Sequence, residues 1–110
     1  MPFYLWTGNY TREAMKAMVK RPQNREAVAR KSIESAGGKM HHAFIALGTS
    51  DIVVIAEFPD DATAAAVTLA VGAAGAVTNA ATTKLMTFAD FAEAMKKAGK
   101  IAATYKPPQS

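Results

Sequence analysis

Hydrophobic residues along this chain switch between a period of two and a period near 3.6, and the switches mark its elements. Residues 3–10, Phe-Tyr-Leu-Trp-Thr-Gly-Asn-Tyr, read as a first strand. Tyr4, Trp6 and Tyr10 share one face; Phe3, Leu5 and Thr7 share the other. Both faces are apolar near the start, which marks a central strand covered on both sides. Thr11 then stands as a helix N-cap with Glu13 in the first turn, and the helix runs to about residue 20. Ala14, Met15, Met18 and Val19 lie on one side of it, and Met15 and Met18 are expected in the core. Pro22 interrupts the helix and is expected early in a second one that starts near residue 23. Ala29, Ile33 and Ala36 give that helix a narrow core-facing stripe, and Gly37-Gly38 ends it.

The second half repeats the alternation. Residues 39–47 form a second strand, Gly48-Thr49-Ser50-Asp51 a turn, and residues 52–58 a third strand marked by Ile52-Val53-Val54-Ile55. Asp60 or Asp61 caps a helix over residues 62–74 that stops at Gly75. A Thr-rich strand over 77–86 reads as half-exposed or at an edge. Thr87 then starts a helix over 88–98, with Phe88, Phe91, Ala92 and Met95 on one side and Gly99 as its stop. The order β-α-β-β-α-β plus a final helix is the ferredoxin-like α+β order. It implies one domain over residues 1–99 and an extended tail over 100–110.

Composition narrows the function classes. Cysteine is absent from the 110 residues, which excludes disulfides, thiolate zinc and a cysteine nucleophile and fits a reducing cytoplasm. The start of the chain has no basic segment followed by an apolar run, so it does not read as a leader. The uncharged run 62–83 has the length of a membrane span. Its Ala and Thr content, broken by Gly72, Gly75 and Asn79, reads instead as a soluble helix and a strand. The net charge of +4 favours anionic partners slightly, but Lys16, Lys20, Arg21, Arg25, Arg30 and Lys31 read as a solvated helix face. A ferredoxin-like RNA binder presents aromatics on its third strand, where this chain has Val53 and Ile55. No nucleic acid or membrane is therefore expected as a partner.

From Phe3 to about Ala98 the chain resembles the GYD domain family. The resemblance rests on the first strand ending in Tyr10-Thr11, on Gly37-Gly38-Lys39, and on Gly48-x-x-Asp51 before Ile52-Val53-Val54-Ile55. It continues through Glu57 and Pro59-Asp60-Asp61 to the Thr-rich fourth strand and the Phe88-x-x-Phe91 helix. Where the family carries Gly-x-Tyr-Asp, Ser50 holds the tyrosine position, so no role of that tyrosine transfers. The resemblance implies a dimeric α/β-barrel type of assembly, in which two sheets pair face to face. It implies no settled activity and no particular cofactor. Relatives of that architecture include small oxygenases, haem-associated proteins and ligand-sensing modules.

Candidate chemistry follows from the hairpin register. A two-residue loop sets Gly48 opposite Asp51, Phe44 opposite Ile55 and His42 opposite Glu57. Met40, His42, Phe44, Val53, Ile55 and Glu57 then share one sheet face. His41, Ala43, Ile45, Leu47, Ile52, Val54, Ala56 and Phe58 share the core face. The apolar part of the first face marks an interface, so self-association is expected. His42 and Glu57 are the catalytic candidates, and Tyr4, Trp6, Phe44 and Asp51 the ligand-binding ones. Simpler roles stand beside these: a cross-strand polar pair, core aromatics, and an aspartate bonding its own turn. His41 and His42 are expected on opposite faces, which argues against a shared metal ion. Two functions remain open, a ligand-binding or structural module and a cofactor-independent enzyme of oxygenase or isomerase type.

Overall fold

The computed structural model describes residues 1–109. Its elements are β1 (Phe3–Tyr10), α1 (Arg12–Lys20), α2 (Glu26–Ser35), β2 (Lys39–Ile45), β3 (Ile52–Glu57), α3 (Asp61–Ala73), β4 (Val77–Leu85) and α4 (Phe88–Ala102). The four strands form one antiparallel sheet in the order β2-β3-β1-β4. This is the ferredoxin-like α+β arrangement, with the expected first strand at the centre and the Thr-rich strand at an edge.

Local chemistry explains most of the boundaries. Thr11, Asp60 and Thr87 each accept a bond from the backbone N–H three residues on, so α1, α3 and α4 begin where a capping side chain stands. Gly37 and Gly75 take φ of +78° and +87°, the left-handed turn that ends α2 and follows α3. Helix α2 begins later than the sequence suggests. Pro22 lies outside it, and the Asn24 side chain accepts from the Glu26 N–H at 2.9 Å, holding residues 22–25 in a non-helical bend. Gly99 does not stop α4, which continues to Ala102; a glycine inside a helix costs about 1 kcal/mol and does not terminate it by itself. The tail expected from residue 100 therefore begins three residues later, and its last residue, Ser110, lies outside the described residues.

The core lies between the sheet and α2 and α3. Tyr4 and Trp6 of β1, Val54 and Ala56 of β3, Phe58, Met40, Ile33, Ala64 and Val77 form one buried cluster. Helix α1 contributes no buried residue. Met18 is half-buried, while Met15 is exposed, because the helix lies at the edge of the layer instead of on the sheet. Helix α4 also buries nothing and projects from the end of β4. The molecule is accordingly elongated, at 61 × 36 × 22 Å with a radius of gyration of 18.4 Å. A compact chain of this length has a radius near 13 Å.

The hairpin register differs from the two-residue expectation. Ile45 pairs with Ile52 and Phe44 with Val53, and the Ala46 N–H donates to the Asp51 carbonyl at 2.9 Å. The loop is thus four residues, 47–50, which moves the register by two and preserves the faces. Leu47, expected in the core, stands in this loop fully exposed. A second departure does change the faces. Met40 pairs with Ala56 and His42 with Ile55, so His41 is an extra residue on β2. Across that bulge Met40 enters the core and His41 leaves it.

Candidate functional site

The sheet face opposite α2 and α3 carries no helix. Cross-strand pairing assembles it row by row: Lys39, Glu57, Phe3 and Leu85; then His42, Ile55, Leu5 and Thr83; then Phe44, Val53, Thr7 and Ala81. This face is mainly apolar, and Phe3, Leu5, Val53 and Ile55 are half-buried while Phe44 is exposed. At one end of it the bulge turns His41 toward Glu57. His41 Nε2 and Glu57 Oε2 lie 2.6 Å apart. Their side chains keep 27 % and 19 % of their surface, and the Phe3 ring sits against the imidazole at 5.2 Å. The contact is a hydrogen bond from Nε2–H or, when the ring is protonated, an ion pair.

His42 is not the partner of Glu57. Its ring stacks at 6.3 Å on Phe44, and it is exposed opposite Ile55. The expected pair therefore exists with the neighbouring histidine in it, because one inserted residue exchanges the faces of everything before it. Both histidines now lie on the open face. The argument that adjacent strand residues point apart fails at a bulge. One signal was present in the sequence: stepping back by two from Ala43 puts polar His41, not apolar Met40, in the core. A polar residue at a core position beside an unused apolar one marks an extra residue.

Tyr4 and Trp6 do not line this face. Tyr4 is buried on the helix side and stacks at a tilt on Phe58 at 5.6 Å. Its hydroxyl donates to Asp61 Oδ1 at 2.5 Å, and Lys84 reaches the same oxygen at 3.0 Å. The hydrogen bond to Asp61, followed by burial, pushes the Tyr4 hydroxyl up to about 12. The same bond, followed by that of Lys84, holds the Asp61 carboxyl below its ordinary value. Trp6 Nε1 donates to Thr68 Oγ1 at 3.1 Å, and Thr68 bonds Thr82 at 2.6 Å. These aromatics tie the sheet to α3, which is the core role.

The Asp51 carbonyl closes its own turn, but its side chain bonds outside it. Its carboxylate accepts from the Tyr10 N–H at 3.0 Å, and its own N–H donates to Asn9 Oδ1 at 2.8 Å. The aspartate of the Gly48-x-x-Asp51 segment thus clasps the β2–β3 hairpin to the end of β1. Ser50 is half-buried beside it.

Among the described residues no group of three or more histidine, aspartate or glutamate side chains is placed to hold a metal ion. No helix among them is long and apolar enough to cross a membrane. No curated protein and no solved structure matches the chain. The profile of the GYD domain matches residues 4–95. That span runs from β1 into α4 and includes the hairpin with its clasp, so the chain belongs to the GYD domain family.

Proposed function

We propose that this chain is a self-associating module that holds a small organic molecule on the open sheet face beside His41 and Glu57. The sheet face of a second copy closes over it, as in the dimeric α/β-barrel type of assembly. The observation that supports the reading is the His41–Glu57 contact of 2.6 Å at the margin of an apolar, helix-free face. An apolar wall with a few fixed polar groups is the usual make-up of a small-molecule site. Phe3, Leu5, Val53 and Ile55 provide the wall, and covering them removes a surface that a monomer rarely leaves open. On this reading the partners are a second copy and a small molecule, not a nucleic acid or a membrane, and the compartment is the cytoplasm. Native mass spectrometry tests it. Two chains with a small-molecule adduct are expected, Val53→Asp giving single chains and Glu57→Ala keeping two chains without the adduct. A wild-type monomer at micromolar concentration would sink the proposal.

An enzymatic reading is favoured by the same contact. A carboxylate on one imidazole nitrogen orients the ring and leaves the other nitrogen to take or give a proton. His41 is then the base and Glu57 its orienting partner, acting on a small organic substrate without a cofactor, in the manner of an oxygenase or isomerase. Turnover lost in His41→Asn and kept in His42→Asn separates this reading from plain binding.

A further inference from the structure

Among the described residues in the rows of the open sheet face, Lys39 is the one lysine or arginine. Its position is fixed by the glycines before it. Gly37 turns the chain out of α2 at φ +78°, and the Gly38 N–H donates to the Ile33 carbonyl at 3.0 Å. Strand β2 therefore starts at a set point, with Lys39 opposite Glu57. Met40, the next residue, is buried in the core, so alternation puts the Lys39 side chain on the open face. There it is exposed, and it enters none of the ion pairs among the described residues. The Glu57 carboxylate across the strands is held by His41 at 2.6 Å instead. His42 follows in the next row, its ring stacked on Phe44. Three basic side chains, Lys39, His41 and His42, thus stand in one corner of the face against one carboxylate. The next acid, Asp90, lies past the end of β4, three strand spacings or about 14 Å away.

Closing a second sheet over this face takes the Lys39 ammonium out of water, and a covered charge needs a partner of opposite sign. The corner does not supply a second carboxylate. The wall beside it, Phe3, Leu5 and Ile55, is half-buried and apolar. The missing group is therefore an anion on a hydrocarbon body. Charge decides which anion. A phosphate ester carries about 1.5 to 2 negative charges and is ordinarily met by arginines or a helix N-terminus. Among the described residues the rows of this face hold no arginine, and no helix lies on it. A carboxylate carries a single charge, which one ammonium matches. An amine would meet three basic groups, and a neutral molecule would leave Lys39 covered and unpaired.

We infer that the molecule held on the open face is a small apolar monocarboxylate, its carboxylate at Lys39 and its hydrocarbon part on Phe3, Leu5 and Ile55. The inference rests on the reading of this face as a closed small-molecule site, and adds the class of ligand and the residue that selects it. Lys39 is a specificity residue here: it chooses the anion, while the apolar wall accepts the body.

Isothermal titration calorimetry of the purified protein tests this with sodium benzoate against benzamide and sodium octanoate against octylamine. At least one carboxylate is expected to bind about 10-fold or more tightly than its uncharged or cationic counterpart, the scale of one hydrogen bond to a charged group. Lys39→Met is expected to lose that preference and Lys39→Arg to keep it, with the urea midpoint unchanged because Lys39 is exposed. An adduct released from the protein by solvent is expected to be an acid seen in negative-ion mode. Equal binding of benzamide or octylamine, carboxylate binding untouched by Lys39→Met, no binding of any probe, or an adduct that is a phosphate ester or a base would each overturn the inference. So would single chains in Lys39→Met, because Lys39 would then answer a carboxylate of the second copy. Two chains with an adduct that Glu57→Ala removes show the site itself standing when the ligand class fails; loss of both in the wild type is failure of the site.

Discussion

Gly38 decides how closely the end of α2 approaches the candidate site. A Cβ there would lie 2.6 Å from the Glu57 carbonyl oxygen, 2.9 Å from Phe58 Cδ1 and 3.0 Å from Ile33 Cγ2. The backbone of β3 has to move to admit it. Gly38→Ala is expected to cost about 1–3 kcal/mol, read from the urea midpoint, and to loosen the His41–Glu57 contact. Gly48→Ala, where a Cβ meets nothing within 4 Å, is expected to stay within about 0.5 kcal/mol. Tyr4 sets the alkaline limit. Its pKa is raised from 10.0 to about 12, so the stability it contributes is complete below pH 10 and is lost as pH rises toward 12. Asp61 works in the opposite direction. Its pKa is lowered from 3.8, so its contribution is present above that value and is lost as pH falls below it. Unfolding followed by the fluorescence of Trp6, the single tryptophan, is expected to show a plateau between these limits. Tyr4→Phe is expected to flatten the alkaline limb.

At the scale of elements, the hairpin is positioned by its clasp to β1 as much as by its ladder. Asp51→Ala removes the acceptor for the Tyr10 N–H and is expected to cost about 1–3 kcal/mol. Faster amide exchange at Tyr10 and Ile52, with β4 unaffected, is the accompanying signature. The elements themselves were legible because capping residues, glycines and β-branched runs are local signals. Thr11, Thr87, Gly37 and Gly75 each act where their chemistry says they should. The register was not legible, because loop length depends on which residues find partners across the turn, and Asp51 finds its partner on β1. The bulge at His41 left one trace in the sequence, a polar residue at a core position beside apolar Met40, and it is decided by Met40 reaching the core beside Ala56. One residue of slippage moved the contact with Glu57 from His42 to His41.

For the whole molecule, the fold alone leaves two apolar surfaces without cover, the open sheet face and the outer side of α4. The helical stripe of α4 was visible as a pattern, but its lack of a partner was not. Period tells which side of a helix is apolar and says nothing about which body that side meets. The same limit hid α1, whose Met15 has core spacing and surface exposure. The two irregular pairings have a bearing on how copies can meet. The extra residue at His41 is on β2, and Asn79, at φ 52°, accompanies the extra residue on β4. These are the two outermost strands, and each is kinked where a straight neighbour would have to pair. Strand-by-strand growth of the sheet is thereby discouraged on both sides. An edge propagates and a covered face saturates; if copies associate as proposed, the expected product of crowding is a counted assembly and not a fibre.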